Sequence, residues 1–288
     1  MVVSRREFLY FSSVSFLLSK RSSVGRERNI RKRVQTAPHE NALGVTKLCL
    51  LYESGQILFT ENENVLRPPA SIVKLMVLYM VSEMVKKGEV SLDTKVKLRR
   101  NIFPVNNSDI VISSDREYLL EDLIKAMAVI SSNTSAIAVA EGIWGSEKKC
   151  IDQMNATAKR LGMSRTYFRT VNGFPIRPGV DADVSTGKEL AILAMECCKS
   201  PLLLSWTSTK EFVIPGDNIV RKNTNELLYE ITGCDGLKTG FTRSAGHCII
   251  ATAKRANTRV ISIVMGANTS KERFRIAKDL LDIGFAGG

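Results

Sequence analysis

The sequence predicts an α+β fold, one antiparallel sheet flanked by helices with a helical lobe inserted between its strands. Strand-like patterns lie near the start, at 44 to 61, and near the end, at 247 to 266. Apolar runs of helical period fill the stretch between them, and an amphipathic helical pattern closes the chain at 271 to 283. With 288 residues, 44% hydrophobic and 24% charged, the chain has ample material for a core in one large domain or two small ones.

The chain begins MVVSRREFLYFSSVSFLLSKR. Arg5 and Arg6 precede an apolar stretch, Phe8 to Leu18, that is too short to span a bilayer but suits a signal peptide. Ser4-Arg5-Arg6-Glu7-Phe8-Leu9 resembles the twin-arginine export signature, so the protein is expected in the periplasm or cell envelope. The following KRSSVGRERNIRKR has no clean small-x-small cleavage site and reads as a basic linker able to touch an anionic membrane surface. Residues 1–40 carry nine Lys/Arg against three Asp/Glu, half of the net charge of +12, so the body from 41 to 288 is only mildly basic. That basic run has no aromatic interleaving and the body no recognition motif, which argues against nucleic acid.

Within the body, 44 to 61 reads as two strands around a Ser54-Gly55 turn. Pro68 and Pro69 introduce a helix from about Ala70 to Lys87, closed by Gly88 and apolar nearly all the way round, the mark of a buried helix. Helical patterns follow at 119 to 142, 147 to 161 and 185 to 199, and the helical lobe is expected at about 75–205. Strand patterns return at 210 to 214, 247 to 254 and 259 to 266, the last two joined at Asn257, and Gly284 is the expected stop of the last helix. Six cysteines, without CxxC pairing and mostly in apolar contexts, read as buried thiols. No metal or other cofactor is expected.

Ser71 and Lys74 stand three residues apart, so both project from one face of the first helical turn, where free N–H groups and the dipole favour developing negative charge. A serine hydroxyl becomes a nucleophile when a base takes its proton, and a lysine of depressed pKa can be that base. Alone, the pair fits a helix cap and a lysine reaching for solvent far better than it fits catalysis. Two further elements change that balance. Ser131-Ser132-Asn133 supplies a hydroxyl and an amide at the entry of another helix, and Gly236-Leu237-Lys238-Thr239-Gly240, read as leading into a strand, supplies a second lysine and a glycine that permits close approach. Together they are the S-x-x-K, S-x-N and K-T-G set of the penicillin-recognising serine enzymes.

RPPASIVKLM, MNATAKRLGM, DVSTGKELAILA, DGLKTGFTRSAGHCIIATAKR and LLDIGF extend the likeness. From about residue 42 to 285 the chain resembles the D-alanyl-D-alanine carboxypeptidases, the low-molecular-mass penicillin-binding proteins, a serine-type DD-peptidase family. The resemblance implies a β-lactamase/DD-peptidase-like fold and makes 41–288 the catalytic domain. It implies that Ser71 is acylated, that Lys74 accepts its proton, that Ser131 relays a proton to the leaving D-alanine and that Asn133 orients Lys74 and the substrate amide. Lys238 and Thr239 would meet the terminal carboxylate of a peptidoglycan stem peptide, with Gly240 permitting its close approach. Lys238 is expected to keep its charge, and burial together with the field of Lys238 to lower the pKa of Lys74. The backbone N–H groups of Ser71 and Phe241 would form the oxyanion hole, and β-lactams would be covalent inhibitors. Departures stand in the second motif, where Ser132 replaces a common glycine and Thr134-Ser135 replace the frequent Asp/Asn-Ala.

Other chemistries fit less well. His39 and His247 are poorly placed for a Ser-His-Asp hydrolase. A class A β-lactamase needs a glutamate after the second motif, and FRTVNGFPIRPGVDADVS offers only Asp181 and Asp183. Two alternatives remain. A DD-endopeptidase is favoured somewhat by the end of the chain at Gly288, where many carboxypeptidases continue into a β-domain and an amphipathic helix. The other is a non-enzymatic wall- or membrane-binding module, against which the complete motif set counts.

Overall fold

The computed structural model describes residues 44–104, 109–174, 183–213 and 219–287. The twin-arginine-like segment, the basic run, His39 and Asp181 lie outside them.

β1 (Thr46–Leu51) and β2 (Ile57–Glu61) form the hairpin expected around Ser54-Gly55. A single 3-10 turn, Ala70–Val73, then leads into α1 (Lys74–Lys86), buried from Lys74 to Ser82. The two prolines stand before the turn, where a missing N–H costs nothing. After the small β3 (Lys95–Val96) and β4 (Tyr118–Leu119) pair, the helical pattern at 119 to 142 is two helices, α2 (Leu120–Val129) and α3 (Asn133–Trp144), the second entered at Ser131-Ser132-Asn133 as the motif implies. The break falls at Ser131, whose φ of 61° lies in the left-handed region that an α-helix cannot pass through. Ser132 then caps α3 by accepting the Ser135 N–H.

α4 (Glu147–Arg160) and α5 (Gly187–Cys198) match the expected spans to within two residues. α6 (Pro201–Thr207) was not expected, although it carries a Ser200 cap and a proline in its first turn. The hairpin of β5 (Glu211–Val213) and β6 (Val220–Lys222) and the short α7 (Leu227–Glu230) lead to β7 (Cys234–Thr242), β8 (Gly246–Arg255) and β9 (Thr258–Ala267). The K-T-G segment, read as preceding a strand, lies inside β7. α8 (Ser270–Gly287) runs through Gly284 instead of stopping there. Gly284 is buried against Val260, where an added Cβ would come within 2.2 Å of the valine side chain, so it is a packing glycine.

The sheet is antiparallel throughout, in the order β2-β1-β9-β8-β7. Period-two alternation divides its side chains between two apolar layers. Cys49, Ile249, Ala251, Val260 and Val264 face α8 through Phe274, Ala277, Leu280 and Leu281. Leu48, Leu50, Ile250, Ile261 and Ile263 belong to the larger core that holds Ile72, Leu75 and Met76 and the helices between β2 and β7. Five of the six cysteines are buried free thiols and Cys234 is half-buried. Edge strand β7 packs along the 3-10 turn that carries Ser71.

Candidate active site

Ser71 sits in a turn held under backbone strain. Ala70, just before it, has φ of 50°, a conformation that costs a residue with a Cβ roughly 1–2 kcal/mol. Two glycines let other segments crowd against it. A Cβ on Gly240 would stand 3.0 Å from the Ser71 nitrogen, and one on Gly173, at φ of 79°, would stand 2.0 Å from the Ala70 carbonyl oxygen. Ser71 does not cap the helix, and Lys74 does not reach for solvent, because it is completely buried.

Lys74 Nζ donates to Asn133 Oδ1 at 2.7 Å and to the Asn172 carbonyl at 2.9 Å, and lies 2.9 Å from Ser71 Oγ. A neutral amine has two N–H groups and one lone pair. The two carbonyl oxygens take the N–H groups and leave the lone pair toward the serine hydroxyl. Burial pulls Lys74 down to about 7, and the negative fields of Asp109 and Asp183 hold it from falling further. Burial is the cause expected first, whereas Lys238, also expected to contribute, is not among the groups that shift Lys74. The mutual repulsion of the lysines appears on Lys238, which burial, then Lys74 and Arg273, push well down. In the free site the surroundings of Lys238 thus oppose the charge that the sequence led us to expect on it.

Asn133 opens α3, whose first turn is tied to a loop residue that the motifs do not include. Asp109 Oδ2 accepts the N–H groups of Asn133 at 2.8 Å and Thr134 at 3.2 Å, while Oδ1 accepts the Ser132 hydroxyl at 2.6 Å. The unusual Ser132 and Thr134 thus have partners. Ser131 is half-buried at the strained turn, and among the described residues it is not one of the hydrogen-bond partners of Lys74.

Asn172 comes from the segment between α4 and α5. Asp183 accepts the N–H groups of Arg169 and Thr170 at 2.7 and 3.0 Å and the Thr170 hydroxyl at 2.7 Å, and the hydroxyl in turn accepts the Gly173 N–H at 2.8 Å. Burial raises the Asp183 carboxyl and these hydrogen bonds oppose the rise. Both oxygens hold the loop, so Asp183 braces Asn172 and is not a base for a deacylating water.

On β7, Lys238 and Thr239 are buried; Lys238 Nζ donates to the Thr239 carbonyl at 3.0 Å, and the Thr239 hydroxyl donates to Thr224 Oγ1 at 2.7 Å. Arg273 of α8 lies behind this strand, donating to the Gly240 carbonyl at 3.4 Å and to Ser270 Oγ at 2.9 Å. Phe241 is 54% exposed, and its ring stacks on His247 of β8 at 4.3 Å. His247 is thereby a packing residue, lowered by burial and by Arg273. Sequence reasoning missed Asp109, Asn172, Thr224 and Arg273. Only Asn172-Gly173, a turn dipeptide, carried a local signal.

A family model described as D-alanyl-D-alanine carboxypeptidase matches residues 35–269. The carboxypeptidase DacF of Bacillus subtilis is 32% identical over 261 residues, 88% of this chain and 64% of that protein. The D-alanyl-D-alanine endopeptidase of Escherichia coli is 30% identical over 220 residues, 74% of this chain and 68% of its own length. The ampicillin-bound structure of penicillin-binding protein D2 of Listeria monocytogenes superposes with a TM-score of 0.73 at 33% identity, over 86% of this chain and all of that one. The chain thus spans a little under two thirds of the Bacillus relative. With a match of this extent and the three motifs converging on Ser71, the chain belongs to the D-alanyl-D-alanine carboxypeptidase family.

Proposed function

We propose that the protein is a serine-type D-Ala-D-Ala carboxypeptidase that removes the terminal D-alanine from peptidoglycan stem peptides. The observation that carries this reading is a fully buried lysine, drawn down to about 7, with its nitrogen 2.9 Å from a serine hydroxyl and its N–H groups already taken. Ser71 Oγ attacks the carbonyl carbon of the penultimate D-alanine and gives its proton to Lys74 Nζ. The backbone N–H groups of Ser71 and Phe241 receive the oxyanion. The C–N bond then breaks, Ser131 passes the proton to the leaving nitrogen, and D-alanine departs from an ester on Ser71. Water, deprotonated by the same lysine, hydrolyses the ester.

Lys238, Thr239 and Gly240 form the seat of the substrate carboxylate. An arriving carboxylate favours the charged form of Lys238, and that charge helps keep Lys74 neutral when the base is needed. A β-lactam presents the same carboxylate and a strained amide, so it acylates Ser71 as a substrate mimic. Labelled penicillin should attach to Ser71, and Ser71→Ala should abolish labelling while the protein stays folded. Equal labelling of that variant overturns the reading.

The likeness to the E. coli endopeptidase supports a second reading, cleavage of D-Ala crosslinks. Mass analysis after incubation with monomeric pentapeptide and crosslinked muropeptides separates the two: loss of one alanine from the monomer marks a carboxypeptidase, and conversion of dimer to monomers marks an endopeptidase. Export through a twin-arginine receptor belongs to the same proposal, with residues 1–40 as signal and linker and 41–288 as the catalytic domain in the cell envelope. Arg5→Lys with Arg6→Lys keeps the charge and should hold the protein in the cytoplasm; undiminished export shows a general signal instead.

A further inference from the structure

Asp109 is the acidic group bound most extensively to the start of α3. Besides the Asn133 and Thr134 N–H groups and the Ser132 hydroxyl, its Oδ1 lies 3.0 Å from Thr134 Oγ1, which has one proton to divide between Asp109 and the Ile110 carbonyl at 2.7 Å. Free N–H groups at a helix start are satisfied by a carboxylate more strongly than by a hydroxyl. Ser132 already supplies the ordinary serine cap to Ser135. A further carboxylate from a separate loop therefore needs a reason, and the next residue in line gives one: Asn133, anchored through its own N–H, puts Oδ1 2.7 Å from Lys74 Nζ.

We propose that Asp109 is a positioning residue for acylation: it fixes the first turn of α3 so that Asn133 holds the Lys74 amine with its lone pair toward Ser71. The inference rests on the reading of Lys74 as the base. Its second effect is electrostatic. Around Lys74 the charged groups are Asp109 at the start of α3, Asp183 behind the Asn172 loop and Lys238 on β7, with Arg273 beyond Lys238. Asp109 and Asp183 keep the lysine from falling further, so loss of the Asp109 charge shifts the base toward lower pH.

The geometry also says where a replacement carboxylate can stand. Thr134 Oγ1 lies 3.0 Å from Asp109 Oδ1 and 2.7 Å from the Ile110 carbonyl, so Thr134→Asp in an Asp109→Ser background returns a carboxylate to the start of α3, beside the Asp109 position and within reach of a hydroxyl there. The experiment uses the full-length chain and a fluorescent penicillin, with second-order acylation rates measured across about pH 5 to 9 and thermal unfolding followed in parallel. Asp109→Ser should acylate about 100-fold more slowly, the scale of a misplaced catalytic group, and the acid limb of the profile should move to lower pH. Asp109→Ser with Thr134→Asp should recover to within about tenfold of wild type and move the limb back. Asp109→Asn keeps the shape, covers the case in which the serine variant fails to fold, and should show the same downward shift of the limb.

Wild-type rate and an unmoved limb in Asp109→Ser or Asp109→Asn overturn the proposal. Recovery of thermal stability in the double variant without recovery of rate overturns it as well, because Asp109 is then structural only. Failure of the underlying reading looks different, since it appears as labelling of Ser71→Ala and does not depend on residue 109.

Discussion

The two lysines are one residue type, both fully buried, with different partners: Lys74 meets Ser71, Asn133 and Asn172, and Lys238 the Thr239 carbonyl. Lys74 stands near 7, so below that pH it is protonated and cannot accept the Ser71 proton; acylation should rise with pH through about 7. Lys74→Arg keeps a cation that does not lose its proton and should reduce penicillin acylation by about 1000-fold or more, whereas Lys238→Arg should keep partial turnover and lose mainly substrate affinity. If the arginine at 238 is the more damaging to the acylation rate, the roles of base and carboxylate seat are reversed. Ser71, Lys74, Asn133, Lys238 and Thr239 could be named from the sequence because each lies in a short pattern whose local geometry is fixed by a helix turn or a strand. Asp109 and Asn172 could not, because they contribute through contacts 24 and 98 residues away.

At the scale of elements, sequence periodicity located most helices and strands but ran on across the break between α2 and α3, which only the Ser131-Ser132-Asn133 motif, as a helix entry, marked. Apolar residues continue at helical spacing across 119 to 142, and the interruption depends on the backbone of Ser131, which has no special local signal as a glycine would have. The loop at 169 to 173 also depends on one backbone position. Gly173→Ala places a Cβ 2.0 Å from the Ala70 carbonyl at a left-handed φ, and should destabilise the fold by about 2 kcal/mol or more, with loss of acylation beyond what unfolding explains. Chemical denaturation read beside the acylation rate of the folded fraction checks this. An unchanged rate shows that the loop need not touch the nucleophile turn so closely.

Over the whole molecule, the α+β class was legible because strands at both ends of the body must share one sheet, and a helix as apolar as α1 must lie inside. The price of that arrangement falls on the buried Lys74 and Lys238, and it has a thermodynamic signature. Lys74 is near 7 in the fold against an ordinary 10.5, and Lys238 lies well below the same reference. Above 7 the unfolded chain therefore binds more protons than the folded one, so stability rises with pH, by about 1.4 kcal/mol per unit from Lys74, and Lys238 acts in the same direction. The cysteines act in the opposite sense. Cys49, Cys198, Cys234 and Cys248 are pushed up by burial to about 11 and Cys150 to about 12, so thiols that ionise on unfolding, from about 8.5 upward, favour the unfolded chain. Urea titrations should show stability climbing between about pH 7 and 8.5 and turning over above it, with Lys74→Met raising the curve at neutral pH and flattening its climb. A flat wild-type curve in that window would mean that both lysines fold with their protons on. If the climb is seen, the protein is at its most robust in mildly alkaline surroundings, on the side of neutrality where its base is also free to work.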